Sequence, residues 1–256
     1  MITKIDLTID KLSHRLVDKA ARNVIVTRDV PPDPAVSSIV STYDALSAPL
    51  ANRIIGTVTG DLTRTTSAAG ESSLGDVIAD AQLEATAPHG LGDAVIAFMN
   101  PGGIRADIVF PKSGPEPVDG QVSYGEAFTV QPFGNSLVTL TLTGAQIKAV
   151  LEQQWSPATT RILQVSRGFS YAWDSAQPIG SRVVASSLTL NGSPIDPSAS
   201  YRVTVNSFLA TGGDGFTVLT TGTNNLGGAV DIDAFAAYLG AHPATTPPVL
   251  ARIVKL

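Results

Sequence analysis

Apolar and polar residues alternate at short spacing over residues 1–28, with Ile2, Ile5, Leu7 and Ile9, then Val24 and Val26, on the apolar side. That spacing predicts strands. The run DVPPDP (Asp29–Pro34) follows as a stiff, proline-rich spacer. Asp33 is a good helix N-cap and Pro34 suits the first helical position. Val36, Ile39, Val40, Tyr43 and Leu46 then recur at helical spacing, which predicts a helix over 34–48 joining two units.

From Ile54 onward helical and strand patterns mix. Ser73 lies three residues before Asp76, a capping-box-like start for a helix with Leu74, Val77, Ile78 and Ala81 inward. Strands are expected at Asp93–Met99, Ser136–Thr141, Arg182–Leu190, Tyr201–Asn206 and Val249–Leu256. Thr143 and Gln146 form a second capping box, ahead of Ile147, Val150 and Leu151. Asp231 or Asp233 would cap a helix running through Leu239. The class is mixed α and β (α+β). No short repeat or low-complexity tract interrupts it.

Composition narrows the chemistry. With 256 residues, 43% of them hydrophobic, the chain is long enough for a sizeable core. The net charge of -5 and the lack of a basic patch argue against a polynucleotide partner. A few local arginines would still suffice for a small anion. The absence of cysteine removes disulfides, thiolate nucleophiles and cysteine metal sites. No apolar run approaches the ~18 residues of a membrane span, and the first residues have no apolar signal-peptide core. The three histidines, His14, His89 and His242, have no acidic cluster at ligand spacing and read as surface residues. No phosphate-binding GxxxxGK[ST], dinucleotide-binding GxGxxG or Ser-His-Asp set is present.

Four segments break the ordinary grammar. Asn100-Pro-Gly-Gly-Ile-Arg105 follows a buried strand; its glycines allow a tight turn, and Arg105 offers a donor fork suited to phosphate or sugar oxygens. Gln131-Pro-Phe-Gly-Asn135 puts Phe133 in a loop, where it either plugs the core or presents a ring face. Asn206-Ser-Phe-Leu-Ala-Thr-Gly-Gly-Asp-Gly-Phe216 offers Phe208 as a second ring and Asp214 as a carboxylate among glycines, or else a plain tight turn. Arg64 precedes the helix start near Ser72 and Ser73, and reads equally as an anion contact or a solvated side chain. Together these describe a site for something flat and polar, without a catalyst.

The segments NPGGIRADI (100–108), QPFGNSLVTLTLTGAQIKAVLE (131–152), ILQVS (162–166) and YRVTVNSFLATGGDGF (201–216) closely resemble the C-terminal domain of the 5′-nucleotidase family, in the family's order. The resemblance covers about residues 33–256. It implies a layered α/β/β/α sandwich preceded by a linking helix, with residues 53–256 as the nucleotide-recognition domain and 33–52 as the linking helix. Residues 1–32 would be the tail of a metallophosphatase domain plus linker. Phe133 and Phe208 match the family's two stacking aromatics. Asn100, Asn135 and Asp214 match positions contacting the base edge or ribose hydroxyls. Arg105 matches an arginine on the ribose or phosphate side, and Arg64 falls where some members carry another. Other members place an arginine where this chain has Ala68 or Gly70, and many have glycine in place of Pro101.

Catalysis in such proteins sits on an N-terminal metallophosphatase domain, where a pair of divalent metals such as Zn or Mn activates water. This chain has neither the GNH nor the DxH motif of that domain, so no catalytic residue, metal or other cofactor is expected on it. The implied partners are a nucleoside or nucleotide and that N-terminal domain, in an exported protein hydrolysing nucleoside phosphate esters. A stand-alone nucleotide-binding module is the alternative, and a purely structural domain with a degenerate site is a third reading.

Overall fold

The computed structural model describes residues 1–256, which divide into two units, Met1–Ala48 and Pro49–Leu256. In the first, β1 (Ile2–Ile9) and β2 (Leu16–Val24) form an antiparallel hairpin, followed by α1 (Pro34–Ala51), which runs on into the second unit. Asp10 closes the hairpin turn by accepting the Ser13 N–H at 2.7 Å. Asp33 caps α1 as its sequence suggests, accepting the Ala35 N–H at 2.8 Å, and the helix ends three residues beyond the expected Ala48. Every residue of both strands is exposed, and α1 buries none.

In chain order the second unit comprises β3 (Ile54–Thr57), α2 (Ser73–Thr86), β4 (Ile96–Met99), β5 (Gln121–Ser123) and α3 (Tyr124–Val130). Then come β6 (Ser136–Thr143), α4 (Gly144–Glu152), β7 (Gln164–Val165), β8 (Phe169–Trp173), β9 (Thr189–Leu190) and β10 (Ser193–Pro194). The last elements are β11 (Ser200–Asn206), α5 (Ser207–Ala210), β12 (Thr223–Val230), α6 (Asp231–Ala241) and β13 (Ile253–Lys255). The central sheet has the order β12-β6-β11-β4-β7; a second sheet has the order β10-β9-β8-β13, and β3 pairs with β5. Only β11 and β4 run parallel in the central sheet.

Alternation along β4 shows how the layers form. Ile96 and Phe98 face a core shared with α4 and the second sheet, including Val150, Leu151, Phe169, Tyr171 and Ile253. Met99 joins a different core, built by α2, α3 and α6 from Leu74, Ile78, Val130 and Phe235. The mixed α and β layering is therefore as expected, with the central sheet covered by α2, α3 and α6 on one face and by α4 and the second sheet on the other.

Local differences have local causes. Ser72, not Ser73, caps α2, through its acceptance of the Gly75 N–H at 3.2 Å; Ser73 instead accepts the Thr63 N–H at 2.9 Å. The expected strand over 182–190 shrinks to β9, because Ser187 turns the chain by donating to the Val184 carbonyl at 2.6 Å and accepting from the Ala172 N–H at 2.7 Å. The closing strand shortens to β13, where Glu71 takes the Arg252 and Ile253 N–H groups at 2.9 and 3.2 Å. The expected strand from Asp93 starts only at Ile96, since Asp93 is left-handed at φ 53°. Neither aspartate caps α6: Asp231 is already inside the helix and bonds its neighbour's N–H, that of Ile232. β12 carries no apolar alternation, and α3 begins with a capping box at Ser123 and Glu126 that the apolar spacing does not announce.

A buried charge cluster ties β13 to α2. Glu71 and Asp76 are wholly inaccessible and Asp80 nearly so. Arg252 donates to both Asp80 oxygens at 2.7 and 2.9 Å, and its Nε lies 3.5 Å from Asp76. Asp76 has no hydrogen-bond partner of its own. Burial pushes its carboxyl up to about 9; Arg252 opposes the shift, while Glu71 and Asp80 add to it. Folded Asp76 therefore keeps a proton that the unfolded chain releases near its ordinary value of 3.8. Its contribution to stability is full below that value and declines as pH rises toward 9. Asp76→Asn should flatten this decline, so urea midpoints taken from pH 5 to 9 will converge toward or cross the wild type at the alkaline end. An unchanged slope would show that Asp76 is ionised in the fold.

Candidate functional site

The parallel strands β4 and β11 end side by side, and each hands the chain to a polar turn. After Met99 the chain enters Asn100 and the short turn Pro101–Gly103; after Val205 it enters Asn206 and α5. Asn100 and Asn206 are both buried. Asn206 caps α5 by accepting the Leu209 N–H at 2.9 Å, which fixes which end of its amide is oxygen. Its Nδ2 then donates to Asn100 Oδ1 at 2.9 Å, and Asn100 Nδ2 donates to Asp214 Oδ2 at 2.8 Å. A backbone N–H thereby orients two amides in sequence and leaves Asp214 as an acceptor.

Asp214 itself is left-handed at φ 57°, a conformation that aspartate tolerates better than most residues. Its other oxygen lies 3.4 Å from Arg161 Nε. Arg161 was missed in the sequence because it stands one residue outside the recognisable ILQVS stretch. The neighbouring Gly213 has no room for a side chain: a Cβ there would lie 2.5 Å from the Phe208 ring. The glycine loop thus rests directly on that ring and holds it while leaving it 45% exposed.

Phe133 is 57% exposed, which settles its choice between core and ring face. Gly134, at φ 62°, turns the chain after it. The Arg105 guanidinium lies 6.0 Å from the Phe133 ring centroid, at the edge of cation–π range, and its Nη1 donates to the Gly102 carbonyl at 3.3 Å. Asn135 is held from two sides. Its Nδ2 donates to buried Asp231 Oδ2 at 3.3 Å, and its Oδ1 accepts from Ser207 Oγ at 3.3 Å. Burial raises the Asp231 carboxyl, while the Asn135 amide and the Ile232 N–H pull it down.

Six of the seven residues singled out from the sequence line one cleft of about 300 Å³: Asn100, Arg105, Phe133, Asn135, Phe208 and Asp214. Its size fits a small ligand. Arg64 does not line it; its backbone N–H and Nε both bond Asp107 Oδ1, at 2.7 and 3.2 Å. Gly70 has no room for a side chain, since it sits at φ 93° with Ile162 2.5 Å from a would-be Cβ. No three His, Asp or Glu side chains come together as a metal site, so the residues present do not fit a metal pair. His89 pairs with Asp93 and His242 with Glu84, each at 2.9 Å, away from the cleft.

Two exposed aromatic rings, three hydrogen-bonded asparagine amides, a fixed carboxylate and an arginine line this one cleft. The chain belongs to the family described as 5′-nucleotidase, C-terminal domain, whose profile matches residues 54–221. It is 30% identical over 238 residues to Endonuclease YhcR of Bacillus subtilis, covering 92% of this chain and 18% of that protein. It is 33% identical to Cell wall protein Lmo0130 of Listeria monocytogenes, covering 88% of this chain and 29% of that protein. The crystal structure of a 5′-nucleotidase precursor from Thermus thermophilus superposes with a TM-score of 0.74 at 32% identity, over 99% of this chain and 49% of that one. The chain thus spans less than a third of these two curated relatives and about half of the solved one.

Because Asn206 both caps α5 and orients Asn100, Asn206→Ala removes a cap and leaves a buried acceptor unpaired. The expected cost is about 2 kcal/mol or more. Thermal unfolding would read it, and a loss confined to the few tenths of a surface substitution would show that the relay carries no weight.

Proposed function

We propose that this chain is the nucleoside- and nucleotide-recognition domain of a phosphoric ester hydrolase that converts nucleoside phosphate esters to nucleoside and phosphate. The observation that carries the proposal is the cleft, with one exposed phenylalanine ring on the loop before β6, another on α5, and an acceptor carboxylate among its lining residues. A base stacks between Phe133 and Phe208. Stacking on aromatic rings is worth about 1–3 kcal/mol per base and tolerates every base. Asp214, with both oxygens already steered by Asn100 and Arg161, accepts from ribose hydroxyls. Asn135 meets the base edge, and Arg105 faces the ribose or phosphate side.

The hydrolytic chemistry, and the divalent metal pair that would supply its water-derived nucleophile, are assigned to a separate metallophosphatase domain. Membership in the family and the likeness to the Thermus 5′-nucleotidase precursor support this. Export to the cell surface is proposed with it, supported by the similarity to a protein named for the cell wall.

Calorimetric titration of the chain with adenosine and AMP, in metal-free buffer, tests the recognition role. Saturable binding is expected, and Phe133→Ala should weaken it about tenfold with unchanged thermal stability, in line with the loss of one stacking face. The chain alone should release no phosphate from AMP, with or without Zn or Mn. Absence of binding at millimolar ligand would overturn the recognition role, and robust metal-dependent phosphate release would overturn the assignment of catalysis elsewhere.

A further inference from the structure

Asn135 is held in a way that stacking alone does not require. Its side chain lines the cleft, yet its amide is gripped behind by two partners on different elements. Asp231, at the first turn of α6, is only 2% exposed and accepts on both oxygens: Oδ1 from the Ile232 N–H at 2.8 Å and Oδ2 from Asn135 Nδ2 at 3.3 Å. Ser207, at the start of α5, donates its hydroxyl to Asn135 Oδ1 at 3.3 Å. The Asp231 N–H also bonds the Asn135 carbonyl at 2.8 Å, so backbone and side chain are registered on the same residue. A carboxylate that only accepts cannot face the amide oxygen, which removes the twofold ambiguity of a carboxamide.

One N–H and one oxygen lone pair of the Asn135 amide remain for a ligand, in a fixed spatial order. The six-membered edges of purines present the opposite orders. A 6-aminopurine offers an acceptor at N1 beside a donor at N6; a 6-oxopurine offers a donor at N1 beside an acceptor at O6. A locked amide pairs in two places with one of them and meets like with like on the other. We infer that Asp231, with Ser207, is a positioning residue that makes the cleft discriminate between 6-amino- and 6-oxopurine nucleosides through the locked amide of Asn135. The inference rests on the nucleoside-binding reading above and adds a base preference that stacking cannot provide.

The test compares dissociation constants for adenosine and inosine, which share the ribose and the stacking area. The chain should separate them by about five- to hundredfold, the range of a good bidentate amide–base pair. Asp231→Asn keeps the shape but can donate to Asn135 Oδ1, so the amide is free to turn over; the ratio should fall to within about twofold or invert. Ser207→Ala, at a partly exposed position, should lower the ratio in the same direction and covers the case in which Asp231→Asn fails to fold. A merely structural role for Asp231 would weaken both nucleosides equally and leave the ratio as it was. An unchanged ratio in a folded Asp231→Asn or in Ser207→Ala overturns the inference, as does equal binding of the two nucleosides by the unaltered chain; in both cases the recognition role stands. Failure of both nucleosides to bind at millimolar concentration overturns the recognition role itself, and the inference with it.

Discussion

The side chain of Asn206 is the joint on which the cleft depends. It stands where β11 stops and α5 starts, almost fully buried, and satisfies two obligations at once. Its oxygen ends the helix's need for a cap, and its nitrogen reaches the amide of Asn100 on the neighbouring strand end. A buried polar group must find partners or bear the cost of desolvation. Here the partners lie in series, so the direction of every bond from the Leu209 N–H to the Asp214 carboxylate is determined by the first. The same residue sets the start of the short helix that carries Phe208. The exposed ring of Phe208 and the carboxylate of Asp214 are thereby referred to one amide.

This arrangement exists because β4 and β11 run parallel in an otherwise antiparallel sheet. Their carboxyl ends open at the same edge, where open sheets commonly place ligands. Below that edge β4 places Ile96 and Phe98 in one core and Met99 in another, and β11 places Val203 and Val205 in the first. Rigidity comes from the sheet and adaptability from the glycines. Gly213 lets backbone lie flat against Phe208, and Gly134 turns the chain directly after Phe133.

Much of this was legible in the residues. Helical spacing and the Thr143–Gln146 box located α4, and alternation located β6 and β11. The loop aromatics and glycine turns pointed to the cleft, and resemblance to a family supplied their roles. What escaped was set by distant partners. Arg161 stands 53 residues before Asp214 and Asp231 stands 96 residues after Asn135, and no local pattern announces that they hold these cleft residues. Arg64 reads equally as an anion contact or a solvated side chain from its neighbours in sequence, and an aspartate 43 residues away holds it. The Ser72–Ser73 ambiguity shows the same limit at one residue's scale. Two adjacent serines satisfy the capping rule equally, and only Gln164, accepting from the Ser72 N–H, and Thr63, donating to Ser73, decide between them.

The cluster around Arg252 has a consequence for how such a chain is made. Glu71, Asp76 and Asp80 are placed early in the polypeptide, yet Arg252 comes 172 residues after Asp80. Until it arrives, a native-like α2 would confine three carboxyl groups against an apolar core with no cation among them, a state that desolvation strongly disfavours. The β13 strand pairs in parallel with β8 and is likewise synthesised after nearly everything it touches. A chain emerging from the ribosome can therefore complete this cluster only once the stretch carrying Arg252 and β13 is free, around a charge delivered from far along the chain.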